Sequence, residues 1–256
     1  MNDKALTIIT VTYNAGELLA NTLESVRKGW SPGLNVEYLL IDGNSTDQTL
    51  EIAAQFSSDL LLKIISEPDE GLYDAMNKGI GLAKGKYLWF LNAGDEMHDD
   101  TTLSRLLASL KTGADIYYSD ALFVSSEGKS LGLRSQVTPH RLPKQISWQD
   151  MAMGMKICHQ AFIVKKSLAP LFEIDNLSAD LEWEIVALKN ANTVEYLDFT
   201  LCKYLLGGLS TQRHRKSLSD RWRVLQRHFG FWRTLINHFK IALRGAVFYI
   251  RKGRYW

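Results

Sequence analysis

Four apolar runs in the first hundred residues share one design. Leu6–Val11, Val36–Ile41, Leu60–Ile65 and Tyr87–Leu91 are nearly continuous hydrophobic stretches, and each runs into a polar or acidic turn. Short, unbroken apolar runs of this kind predict strands covered on both faces. Between them the apolar spacing becomes helical. Gly16–Lys28 places Leu18, Leu19, Leu23 and Val26 on one stripe, Gln48–Phe56 does so with Leu50, Ile52, Ala53 and Phe56, and Gly71–Ala83 with Leu72, Ala75, Met76, Gly79 and Ile80. Strand and helix recur about every 30 residues, the size of a βαβ unit. The predicted class is α/β, a Rossmann-like, mostly parallel sheet flanked by helices.

The later pattern is looser. Thr101–Leu110 reads as a helix, Asp115–Val124 as one strand and Ser125–Lys129 as a turn. Residues 130–150, with Pro139 and Pro143, read as an irregular loop able to cover a site. Asp180–Asn190 reads as a helix, Val194–Tyr204 as a final strand, and Gly207-Gly208 as the end of the compact part. Beyond it, Trp222, Leu225, Phe229, Trp232, Ile236, Phe239, Leu243 and Val247 recur at three- and four-residue steps between Arg and Lys. That is the pattern of a basic amphipathic helix lying in a membrane interface. A helix packed on the protein's own core with a solvated basic face is the alternative.

Composition narrows the class. The chain has 256 residues, 46% of them hydrophobic, enough for a sizeable core. No stretch approaches the roughly 18 consecutive apolar residues of a membrane span. Met1-Asn2-Asp3-Lys4 leads straight into a strand without a basic, apolar secretory leader. Two cysteines without metal-ligand spacing fit reduced thiols in a cytosolic protein. The net charge of +2 conceals an asymmetry: from Gln212 onward there are 12 Lys or Arg and one acid, against 18 basic and 27 acidic residues before it. No motif accompanies these charges that would point to nucleic acid.

Candidate chemistry lies where the strands end. In a parallel sheet all carboxyl ends lie on one edge, where ligands bind. That edge is expected to bring Asn14, Asp42, Asp69 and Asp95 together. Thr12-Tyr13-Asn14 offers a ring for a base and an amide for a nucleotide. Asp42, before Gly43-Asn44-Ser45-Thr46-Asp47, can accept from a base N–H or ribose hydroxyls, and Asp47 reads as a helix cap. After Asp69, the residues Asp74, Asn77 and Lys78 share a helix face, with Lys78 available to a phosphate or to an ion pair with Asp74. Asn92-Ala93-Gly94-Asp95 offers oxygen ligands to a hard divalent cation.

Taken together, Thr12-Tyr13-Asn14, Ile41 to Asp47, Ser66 to Gly79, Leu91 to Asp95, His159-Gln160 and Ala179-Asp180-Leu181-Glu182 resemble the family-2 glycosyltransferases of the GT-A fold, especially bacterial surface-polysaccharide enzymes. The likeness covers roughly residues 5–205 in order. It implies an inverting transfer from a nucleotide sugar, a UDP-sugar by expectation, to a polyprenyl-diphosphate-linked saccharide. It implies donor-binding roles for Thr12, Tyr13, Asn14, Asp42, Asp69, Asp74, Asn77, Lys78, Asn92, Ala93, Gly94 and His159. Asp95 would hold Mg²⁺ or Mn²⁺, and Asp180 would be the catalytic base, with helix capping as its other reading and Glu182 or Glu184 as rivals. Many relatives carry an acid where this chain has Gly94, and some carry Asp where it has Asn92. The expected division is a transferase domain over 1–211, nucleotide-sugar-binding over 1–98 and acceptor- and base-bearing over 99–211, then a basic tail over 212–256. The expected place is cytoplasmic, peripheral on the inner face of the bacterial plasma membrane, with the tail on anionic lipid. The other class left open is a non-catalytic, membrane-associated scaffold subunit.

Overall fold

The structure, a computed structural model, describes residues 4–207 and 214–252. Its centre is β1 (Lys4–Thr12), whose positions from Leu6 onward are all buried. β1 pairs in parallel with β2 (Val36–Asp42) and with β4 (Gly85–Phe90), so that Ile8 lies between Tyr38 and Trp89. β3 (Lys63–Ser66) extends the parallel edge beyond β2. Helices α1 (Gly16–Gly29), α2 (Thr49–Leu60) and α3 (Leu72–Leu82) are the crossovers. The third run begins as strand only at Lys63. Leu60 closes α2, and Leu61, with φ 49°, turns the chain back.

After β4 come β5 (Glu96–Met97), α4 (Thr102–Ser109) and β6 (Ile116–Tyr118). The predicted strand over Asp115–Val124 is in fact two. β6 joins the main sheet and β7 (Ala121–Val124) joins a second one. Ser119 and Asp120 make the corner: the Asp120 Oδ1 accepts the Ala121 N–H at 2.9 Å. Val194–Tyr204 divides likewise into β10 (Val194–Tyr196) beside β6 and β11 (Cys202–Leu205) beside β7. The loop expected over 130–150 contains β8 (Ser130–Leu133), paired with β7, and a single turn, α5 (Arg134–Val137).

β9 (Phe162–Lys165) runs antiparallel between β4 and β6 and closes the seven-stranded order β10-β6-β9-β4-β1-β2-β3. Because it runs backwards, its first residues emerge where β4 ends. α6 (Ala179–Asn190) packs over this region, with Trp183 stacked on Phe172 at 5.1 Å between ring centroids.

The tail is two helices. α7 (His214–Phe229) packs on the domain: Val224 and Leu225 are buried, Phe229 stacks on Trp148, and Arg227 pairs with Glu182 at 2.7 Å. Here the alternative of a helix on the protein's own core is the one realised. Gly230, with φ 79°, breaks the rod. α8 (Phe231–Lys252) is held by Asn237, whose amide donates to Ala152 O at 3.0 Å, yet exposes Trp232, Phe239 and Ile250 by 73–80%. The boundary expected at 211/212, and Gly208 before it, lie outside the described residues. No described helix is long and apolar enough to cross a membrane.

Candidate active site

The carboxyl edge of the sheet carries two separate corners rather than one cluster of carboxylates. Among the described residues, no three His, Cys, Asp or Glu side chains converge as a metal-holding group.

The first corner lies over β1, β2 and β3. Asn14 takes φ 45°, donates its N–H to Ser45 Oγ at 2.8 Å and accepts the Thr46 N–H on its side chain at 2.8 Å, tying the two turns together. Asp47 caps α2 by accepting the Thr49 N–H at 3.0 Å. Asp42 is fully buried. Its oxygens accept from the Ser45 N–H at 2.9 Å, the Ser45 hydroxyl, and the Ser66 hydroxyl at 2.6 Å. These bonds let Asp42 hold the turn. What faces outward is Tyr13, 63% exposed, with Asp69 beside Gly43. A Cβ on Gly43 would come within 2.5 Å of Asp69 Oδ2 and 3.3 Å of the Tyr13 ring, so only glycine leaves this slot open. Thr12 sits just beneath, its buried hydroxyl without a partner.

On α3 the expected ligand face has other employment. Asn77 donates to Phe172 O at 2.9 Å and accepts the Phe172 N–H at 2.7 Å, so its amide clamps a distant loop. Lys78 donates to Pro68 O at 2.6 Å and pairs with Glu67 and Asp74. Asp74 also accepts the Glu70 N–H. Asn77 thus acts as a clamp on the Phe172 loop, and Lys78 makes the ion pair with Asp74 that its spacing allows.

The second corner follows β4. The turn Asn92–Asp95 is closed by the Asp95 N–H donating to Asn92 O at 2.9 Å, and Ala93 continues the ladder onto Val11. Gly94 has φ 100°, a left-handed backbone that favours glycine, and a Cβ there would press on Leu205 at 3.1 Å. Asp95 is buried. Burial pushes its carboxyl up to about 7, against the pull of the Leu205 N–H and the Gln160 side chain. The Asn92 side-chain oxygen is buried without a partner. A buried carboxylate and an orphaned amide oxygen in one turn suit a hard divalent cation, which needs only one or two protein oxygens when phosphates complete its shell.

β9 delivers His159 and Gln160 to this corner. His159 is enclosed by Phe90, Phe172 and Trp183 at 5.2–5.6 Å between ring centroids, and both ring nitrogens lack partners. Burial lowers its pKa to about 3, so it is a neutral imidazole.

Asp180, in the first turn of α6, is half-buried and accepts the Leu181 N–H at 2.8 Å. Burial raises its pKa, with Arg221 and Arg134 drawing it back. Of its rivals, Glu182 is tied to Arg227 and His228. Glu184 is sealed in the core with both oxygens unpartnered, its pKa raised well above normal by burial and then by Asp180. Of the three, Asp180 alone is neither ion-paired nor sealed in the core. Tyr204 feels both Asp95 and Asp180, its ionisation pushed up first by burial and also by their charge. Tyr204 and Arg134 escape sequence reasoning because their partners lie far along the chain, whereas Gln160 enters it only as part of His159-Gln160.

Comparison with known proteins agrees with this geometry. The model of Glycosyl transferase family 2 matches residues 7–172. A PGL/p-HBAD biosynthesis glycosyltransferase of Mycobacterium tuberculosis is 31% identical over 213 residues, covering 79% of this chain and 78% of that protein. An uncharacterised glycosyltransferase of the same species is 28% identical over 261 residues, covering 98% and 94%. Among solved structures, S. aureus TarS 1-349 in complex with UDP-GlcNAc superposes with TM-score 0.70 at 20% identity, over 86% of this chain and 64% of that one. This chain thus spans under two thirds of that structure. A Pyrobaculum calidifontis mannosyltransferase in complex with GDP-Man and Mn²⁺ gives TM-score 0.62 at 16% identity, over 87% and 64%.

Proposed function

The chain belongs to glycosyl transferase family 2 and has the GT-A fold, and from that premise we propose an inverting transfer from a nucleoside diphosphate sugar, a UDP-sugar, to an acceptor hydroxyl. The observation that carries the proposal is the pairing, around Tyr204, of a sealed carboxylate at Asp95, pushed up to about 7 by burial, with a half-buried one at Asp180 that no described cation ties down. Carboxylates whose environments set them apart take different roles. The donor base lies against Tyr13 and Asp69 over Gly43, with Asp42 and Asn14 holding the turns beneath. Asp180 accepts the proton of the acceptor hydroxyl. That oxygen bonds to the anomeric carbon from the face opposite the diphosphate, the bond from that carbon to the diphosphate oxygen breaks, and its electron pair leaves with the nucleoside diphosphate. Attack from the opposite face inverts the centre, and no covalent enzyme intermediate forms. His159, neutral in its aromatic cage, can donate to or accept from the donor without adding charge. Asp95 and the Asn92 side-chain oxygen would hold Mg²⁺ or Mn²⁺, which when bound neutralises the charge of the leaving diphosphate.

The acceptor proposed is a saccharide on a polyprenyl diphosphate, presented at a membrane to which the exposed apolar stripe of α8 attaches. One observation favours the rival, a non-catalytic subunit: among the described residues no three His, Cys, Asp or Glu side chains gather to hold a metal ion. Thermal shift against UDP, GDP, TDP, CMP and ADP, with and without Mn²⁺, separates the two. A shift for one nucleotide that grows with Mn²⁺ and disappears in Asp95→Ala supports the transferase and names its donor class. No shift with any of them favours the subunit.

A further inference from the structure

A groove of about 610 Å³ runs between residues 149–156 and α8, away from the donor corner. Its charged lining is Lys156, Arg233 and Lys240 against the single acid Asp150, whose carboxylate already accepts the Ser147 N–H and hydroxyl at 2.9 Å. Among the described residues none of these three cations has a carboxylate at ion-pair distance, and Arg233 lies over the Phe229 ring instead. Behind the groove more positive charge is fixed in place. Arg134 donates to Lys156 O and Met155 O at 2.5 and 2.7 Å, and Arg244 donates to Met153 O at 3.3 Å. His140, beside Arg244, is driven far down by burial and then by Arg134, Arg244, Lys156 and Arg221. Burial and the charges of Arg244 and Arg134 bring Lys156 down to about 8.

Gathering like charges in partly buried positions costs stability unless an anion joins them. The arrangement has direction as well. Arg134, bonded to the carbonyls of Met155 and Lys156 at the groove, also draws down the Asp180 carboxyl, as Arg221 does. At its outer lip, Ile236 of the groove continues into the exposed stripe of Phe239 and Leu243 on α8. An occupant suited to all three parts carries a phosphate on the cations, a hydrocarbon along the stripe and a hydroxyl group within reach of the base. We infer that this groove binds the phosphate or diphosphate of an amphiphilic phosphoester acceptor, seating it between α8 and Asp180. The inference rests on the transferase reading and adds to it a site for the acceptor's anionic group.

Geranylgeranyl diphosphate, dispersed below its micelle concentration, is the probe, with inorganic pyrophosphate, geranylgeraniol and phosphatidylglycerol vesicles as comparisons. The full-length protein is expected to bind the diphosphate amphiphile more tightly than pyrophosphate or the alcohol. The Lys156→Ala/Lys240→Ala variant is expected to lose about tenfold or more of that affinity, as for removal of charged hydrogen bonds. Its UDP shift is expected to stay at the wild-type value, and its melting temperature without an anion to be equal to or above wild type. Three results would overturn the inference: undiminished binding by the variant, pyrophosphate binding as tightly as the amphiphile, or binding to vesicles alone. A lost UDP shift with amphiphile binding retained would instead count against the donor assignment and leave the groove supported.

Discussion

Burial raises the pKa of both Asp95 and Asp180, and it carries Asp95 to about 7. Asp95 folds with its pKa raised from 3.8 to about 7, so the folded state takes up a proton that the unfolded state does not hold. The associated stability is complete below about 3.8 and is lost as pH rises through about 7. Asp95→Asn is therefore expected to raise the melting temperature at pH 8 and to leave it unchanged near pH 4, a comparison made by scanning calorimetry across pH. A cation at Asp95 requires the ionised form. Titration of UDP with Mn²⁺ at pH 6.5 is then expected to release protons, measured by calorimetry in two buffers of different ionisation enthalpy. Asp180 is predicted to act only in turnover. Asp180→Asn is expected to keep the UDP shift and lose about 10²–10⁴-fold in kcat, the contribution of a positioned base. Near-normal turnover in that variant would remove the assignment.

The elements show what could be read from sequence and what could not. β1, β2 and β4 were legible because each is apolar on both faces and stops at a polar turn, whereas the third apolar run begins too early, since Leu60 and Leu61 belong to the end of α2 and β3 is the half-exposed Lys63–Ser66. Their turns therefore located the site edge. Asp42 was legible as a strand tip, but its burial beneath Ser45 and Ser66 was not, since Ser66 belongs to another strand. Asn77 shares the i,i+3 face of Asp74, so it read as a ligand. Its true partner, Phe172, lies 95 residues away. The run from Ile116 to Val124 hid a crossing between sheets because only Ser119 and Asp120 interrupt it. Gly79, placed on the inner stripe of α3 by spacing alone, is where that helix approaches β1: a Cβ there would lie 2.6 Å from Ile9 Cγ2. Gly79→Ala is expected to cost about 1–3 kcal/mol in urea unfolding, the usual cost of overpacking. Gly43→Ala, whose added Cβ meets Asp69 and Tyr13, is expected to weaken the UDP shift with little change in the urea midpoint.

At the scale of the molecule, charge and shape divide at Gly230 rather than at the start of the basic tail. α7 completes the domain, through Leu225 in the core and Arg227 on Glu182, whereas α8 turns its apolar side outward. A chain ending at Phe229 is expected to melt close to the full-length protein but no longer to float with anionic liposomes. Equal flotation of the shortened chain would show that α8 is not the anchor. A chain ending before His214 is expected to melt lower, because Val224 and Leu225 are removed from the core they fill. The backward course of β9 has a consequence during synthesis. β4 finishes at Phe90, but the strand that covers its free edge ends at Lys165. At ribosomal rates of about 5–20 residues per second, that edge waits roughly 4–15 seconds for its partner. In that interval the nascent chain presents Tyr87, Leu88, Trp89 and Phe90 as an uncovered apolar ribbon.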